Sequence, residues 1–117
     1  MENKNIILDK SKSLALLIIK HCRNISEEKK EYVLSRQLMK SGTSIGANIR
    51  EAKYAESKND FIHKYKISLK EANETEYWLE LLFEPQLMNE EVFNELHKLN
   101  TELLKLLTSS IKTLSNH

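Results

Sequence analysis

The stretch at residues 34–54, LSRQLMKSGTSIGANIREAKY, constrains the chain most. Wound at 100° per residue, it places Leu34, Leu38, Ile45, Ile49 and Ala52 on one side of a helix. Lys29, Arg36, Lys40, Arg50 and Lys58 gather on the opposite side, within about 80° of one another, with Thr43, Ala47 and Tyr54 among them. A polar ladder of Gln37, Ser41, Ser44, Asn48 and Glu51 runs between these faces, and Gly42 and Gly46 occupy the other flank. Each glycine costs about 1 kcal/mol against alanine inside a helix. Either the pair breaks the helix at Ser41-Gly42, or it lets another backbone come close. The apolar spacing stays in phase across both glycines, which favours close approach.

Ser41 and Asn48 fall within the apolar stripe. A buried amide without a partner costs about 1–3 kcal/mol, so Asn48 and Glu51 are expected to bond to a neighbouring helix. Glu71 and Glu74 are candidate partners, although facing carboxylates need a proton or cation between them. Ser44, Asn48, Glu51, Glu71 and Glu74 thus form a candidate structural polar network.

The whole chain of 117 residues holds two glycines and one proline, too few for the turns of a sheet protein. An all-α protein follows, and residues 1–117 are expected to form one domain with a core large enough to need no staple. Helix one is expected over residues 5–23, with a turn at 24–26, where Asn24 and Ser26 precede Glu27 and Glu28. His21 falls on its core side, where a bond to a carbonyl is expected. Helix two then runs to about residue 56, some 45 Å of rod. Ser57 and Asp60 start helix three, which covers residues 58–83 and stops before Pro85. Asn89-Glu90-Glu91 starts helix four, which runs to about residue 114. Short connections make an antiparallel, up-down-up-down four-helix bundle, with its first residues and Ser115-Asn116-His117 frayed.

Helix four carries ten apolar side chains between Val92 and Leu114, nearly half its circumference. A bundle helix needs a stripe of about 100°, so the surplus suggests a second copy of the chain. The formal net charge is only +1, yet it is polarised. Residues 1–66 carry 14 Lys/Arg against 8 Asp/Glu, a net of +6, and residues 67–117 carry 4 against 9, a net of −5. Such a map suits head-to-tail association or an anionic partner. The basic row of Lys29, Arg36, Lys40, Arg50 and Lys58 is the candidate nucleic-acid surface; its plain alternative is a solvated face.

Catalytic signatures are missing from the sequence. It has no phosphate-binding glycine loop, no Cys-x-x-Cys, no His-Glu-x-x-His and no Glu-x-x-His for a di-iron bundle. Asp60-x-x-His63 sits at a helix start, where Asp60 already serves as a cap, so no metal or other cofactor is expected. Cys22 is expected to be a buried thiol, and a single cysteine fits a reducing cytoplasm. The apolar run at residues 14–19 is too short to span a bilayer, so no membrane association is expected.

Ser44-Ile45-x-x-Asn48-Ile49-x-Glu51, Ser57-Lys58-x-Asp60-Phe61 and Ser68-Leu69-x-Glu71-x-x-Glu74-Thr75-x-x-Trp78-Leu79 carry a resemblance covering about residues 30–83. With these motifs the chain resembles the four-helix-bundle family encoded by intervening sequences within bacterial 23S ribosomal RNA genes. The resemblance implies an antiparallel bundle that assembles into a ring-like homopentamer, and it implies no catalytic residue. A related branch serves the reverse transcriptase of diversity-generating retroelements, so a polymerase-type protein partner is a further expectation. That branch is strongly basic and binds nucleic acid, whereas this chain is nearly neutral. Ala52 also stands where the family commonly has glycine after the glutamate. The expected product is a non-enzymatic scaffold or adaptor, associating with RNA or DNA through helix two or else acting as a purely protein-binding module.

Overall fold

Four helices in the computed structural model, α1 (Glu2–Lys29), α2 (Val33–Ala52), α3 (Lys58–Phe83) and α4 (Glu90–Ser115), form an antiparallel bundle. The structure describes residues 2–116, with side chains from Ile6 onward. Of the ends expected to fray, Ser115 completes α4 and Asn116 caps it; Met1 and His117 lie outside the described residues. Each helix packs on its two neighbours in the order α1, α2, α3, α4, with α1 and α3, and α2 and α4, diagonal across the core. The bundle measures 47 × 21 × 19 Å. Its length is that of one long helix, since 28 residues rise about 42 Å.

One apolar column fills the centre. Ile7, Leu14, Ile18, Cys22 and Ile25 supply it from α1, and Leu38, Ile45, Ile49 and Ala52 from α2. Tyr65, Ala72, Leu79 and Leu82 come from α3, and Leu96, Leu103 and Leu107 from α4. Met88, in the α3–α4 connection, plugs one end. Buried hydroxyls and one amide stitch the helices where this column is polar. Ser41 shares a hydrogen bond with Thr75 at 2.9 Å, Ser68 Oγ donates to the Ile45 carbonyl at 2.8 Å, and Asn100 Nδ2 donates to the Ala72 carbonyl at 3.0 Å. Side-chain pairs add outer ties: the Lys10–Glu102 ion pair at 2.6 Å and the His21–Glu95 contact at 3.0 Å join α1 to α4, while His97 and Glu76, 2.9 Å apart, join α4 to α3. The Lys10 hydrogen bond holds the Glu102 carboxyl below its usual range. His21 therefore faces a carboxylate, not the carbonyl expected.

The first connection departs from the sequence expectation. α1 continues through residues 24–26 to Lys29, because Ile25 is buried in phase with Ile18 and Cys22. The chain turns instead at Lys30, which adopts φ 54° without being glycine. Glu31 then caps α2 from outside the usual position, its carboxylate accepting the Leu34 N–H at 2.7 Å. At the other end α2 stops at Ala52, and tight bonds from the Tyr54 and Ala55 N–H groups to Glu51 and Ala52 close the turn. Helix two is thus 20 residues long, not about 30.

The later boundaries follow their signals. Ser57 Oγ accepts the Asp60 N–H and Asn89 Oδ1 accepts the Val92 N–H. Ser57→Ala or Asn89→Ala is expected to cost about 1 kcal/mol in denaturant melts. The wide apolar arc of α4 is taken up in part within the chain: Val92, Phe93, Leu99, Leu104, Leu106 and Ile111 are half-buried against the core. α4 packs on both α1 and α3, and these six side chains keep part of their surface in water.

Burial pushes the Cys22 thiol up to about 12 from 9.0. At neutral pH it is a protonated core group, not a nucleophile. It is expected to resist a thiol reagent in the native protein and to react promptly in denaturant. The unfolded thiol ionises near 9 while the folded one holds its proton. Stability is therefore expected to fall as pH rises above 9 through about 12, and Cys22→Ala to flatten that decline.

Candidate nucleic-acid interface

Burial of Leu38, Ile45, Ile49 and Ala52 fixes which way α2 faces. Residues half a turn away must then point to solvent, and Arg36, Lys40 and Arg50 are all exposed. Arg36 and Arg50 stand 14 residue rises apart, about 21 Å. The other two members of the expected row lie on different helices. Lys29 ends α1 and Lys58 begins α3, because the helix-two boundaries fall inside the expected ones. Both remain exposed near the ends of α2, across its two connections.

None of these five cations forms an ion pair among the described residues. Glu51, the acid next to Arg50 in the chain, turns instead toward α3 and pairs with Lys64 at 3.3 Å. The chain's own carboxylates thus leave the α2 row uncompensated.

The polar ladder behaves differently from expectation. Ser44 Oγ donates to the Lys40 carbonyl at 2.7 Å, and Asn48 Nδ2 donates to the Ser44 carbonyl at 2.8 Å, both within α2. Of Ser44, Asn48 and Glu51, only Glu51 bonds to a neighbouring helix. Glu71 is half-buried and Glu74 exposed, and neither side chain bonds to the α2 ladder among the described residues. The five do not form one network, because Ser44 and Asn48 satisfy themselves on carbonyls one turn back. The buried polar contacts that join α2 to α3 use Ser41, Thr75 and Ser68. Asn100 was hidden in the sequence by its leucine neighbours, although its spacing from Leu96, Leu103 and Leu107 marks the same face.

α1 adds a feature that periodicity of α2 alone does not show. Gly46 sits against Ser11, where an added Cβ would come within 3.1 Å of Oγ and 3.7 Å of the carbonyl carbon. Gly42 likewise sits against Ile18, whose Cδ1 occupies the place of a Cβ. The two helices therefore approach closely, as the glycine spacing suggested. Their outer seam is a shallow groove of about 330 Å³, and Lys12 of α1 and Arg50 of α2 line it together. Among the described residues no cluster of three His, Cys, Asp or Glu side chains could hold a metal, and the Asp60 carboxylate accepts the Glu56 N–H. No described helix is long and apolar enough to cross a membrane.

Fold and surface define a class: an all-helical bundle with a cationic outer row on its second helix. The chain belongs to the family of 23S rRNA-intervening sequence proteins, whose model matches residues 3–109. It is similar to a solved protein of unknown function from Bacteroides thetaiotaomicron, described as a member of the S23 ribosomal protein family. The two are 49% identical, with a TM-score of 0.92 over 94% of this chain and 98% of the other. No curated protein matches the chain.

Proposed function

We propose that the protein is a non-enzymatic cytoplasmic scaffold or adaptor that holds RNA or DNA on the exposed face of α2. Arg36, Lys40 and Arg50 contact phosphates, and Lys29 and Lys58 extend the row from the adjoining helices. One observation carries this reading: the α2 cations are exposed and unpaired while Glu51 beside them is bound to Lys64. A row of like charges without its own counter-charge suits a polyanion. Binding of a structured RNA is measured across salt concentrations. The expected affinity falls with salt, with a logarithmic slope of about −2 to −3 for three neutralised phosphates. Absence of binding at low salt, or a response indifferent to salt, overturns the reading.

A second reading is a protein-binding module that self-assembles, as a ring-like pentamer by family resemblance, or docks a polymerase-type partner. Tyr77, 56% exposed, favours it, because with Leu69 and Trp78 it lines one groove on α3 and so makes a contiguous apolar patch. It requires partners that stay bound after nuclease treatment and a sedimentation coefficient above that of one subunit.

A further inference from the structure

We propose that the seam between α1 and α2 carries a single-stranded nucleic acid, with phosphates between the cations of the two helices and a base stacked on Tyr54. The proposal rests on the nucleic-acid reading above and deepens it: the ligand becomes single-stranded and α1 becomes part of its site.

The seam is cationic on both walls. Lys12 and Arg50 line one groove from opposite sides, over a floor that includes Ala15, Thr43 and Gly46. Those short side chains keep the floor low, so a phosphodiester chain can sit between the walls. The contacts of Gly46 with Ser11 and of Gly42 with Ile18 fix the antiparallel register. Continued along the bundle, that register sets Arg23 level with Arg36, and both are exposed. Neither Lys12 nor Arg23 forms an ion pair among the described residues. The α1 lysine that is paired, Lys10, faces α4 on the other side of the helix.

Tyr54 decides the form of the ligand. Its N–H donates to the Glu51 carbonyl at 3.0 Å, which holds Tyr54 in the tight turn just past the end of α2, four residues on from Arg50. The residue is 78% exposed, an aromatic side chain left in water at the end of a cationic row. Tyr32, 55% exposed, brackets the other end. The 20 residues of α2 between them rise about 30 Å, the length of roughly nine stacked nucleotides. Aromatic platforms beside a cationic groove bind single strands, because each unpaired base offers a face to stack on. A duplex keeps its bases stacked inside and offers Tyr54 only phosphates.

The test uses the full chain and two fluorescent probes, a 12-nucleotide oligouridine and the same strand annealed to oligoadenosine, read by anisotropy across salt. Oligouridine is expected to bind more tightly than the duplex. Tyr54→Ala is expected to weaken oligouridine on the order of tenfold, leave its salt slope unchanged and leave the duplex unaffected. Tyr54→Phe is expected to keep wild-type affinity. Lys12→Gln/Arg23→Gln is expected to make the oligouridine slope shallower by about 1.4. Wild-type oligouridine affinity in Tyr54→Ala, or an unchanged slope in the α1 double variant, overturns the proposal. If in that case Arg36→Glu/Lys40→Glu still loses binding, the reading of α2 stands without it. If wild type binds neither probe at low salt, both fall.

Discussion

Gly42→Leu is expected to destabilise the protein by about 3 kcal/mol, and the smaller Gly42→Ala by about 1–2 kcal/mol. The alanine figure is a balance. A helix interior gains about 1 kcal/mol when alanine replaces glycine, while overpacking a filled core costs about 1–3 kcal/mol. Here the added Cβ lands on Ile18 Cδ1, with Cγ1 and Cγ2 each 3.4 Å away. Ile18 is fully buried, so its end has no open side to swing into. Ile18→Val deletes the atom in the way. Alone it is expected to cost about 1 kcal/mol, but in the Gly42→Ala background it is expected to restore stability. The cycle should therefore show a coupling of at least about 1 kcal/mol. Gly46 gives the contrast. It is only half-buried, and the nearest obstacle is the Ser11 hydroxyl at 3.1 Å. Gly46→Ala is expected to lie close to neutral. Urea melts of the five variants decide the matter: an additive cycle, or Gly42→Leu within 1 kcal/mol of wild type, removes the close approach of α1 and α2 as a support of the fold.

The same glycines show where the sequence was legible. Two glycines kept in phase with Leu38, Ile45 and Ile49 announced a contact without a kink, and α2 runs unbroken through both. α3 begins and ends at its local signals, Ser57 with Asp60 and then Pro85, because those residues act on the backbone beside them. The α1–α2 connection was illegible for the opposite reason. Lys30 takes a left-handed conformation that glycine normally marks, and Glu31 supplies a cap that serine or aspartate normally supplies. Meanwhile Asn24 and Ser26, good cap residues, sit inside α1, where burial of Ile25 outweighs their preference.

For the candidate site the division falls between one helix and two. The exposure of Arg36, Lys40 and Arg50 follows from periodicity once the core face of α2 is known. Their lack of acidic partners does not, since it depends on Glu51 reaching Lys64 across to α3. Nor does the placing of Lys12 opposite Arg50, which needs the register set by Ser11 and Gly46. The polar ladder failed on a similar point. Ser44 and Asn48 are half-buried, and each bonds to a carbonyl one turn back in its own helix.

Arg36→Glu/Lys40→Glu is expected to reduce nucleic-acid affinity by 30-fold or more at low salt while leaving stability within about 0.5 kcal/mol of wild type. The stability side follows from exposure: both side chains project into water and hold no ion pair, so reversal breaks no contact. The binding side follows from losing two phosphate contacts and adding two repulsions, about 2–4 kcal/mol in all for solvent-exposed charges. The salt slope should become shallower by about 1.5, because two fewer counterions are released on binding. Net charge must be separated from position, since the double reversal lowers the formal charge by four from +1. Lys98→Glu/Lys105→Glu makes the same change on exposed residues of α4, the helix diagonal to α2. If the face matters, the α4 reversals lower affinity only slightly through the long-range field, which falls off over about 10 Å at 0.1 M salt. Equal losses from both pairs would leave only a general charge effect, and wild-type binding by Arg36→Glu/Lys40→Glu would take the interface away from α2 altogether.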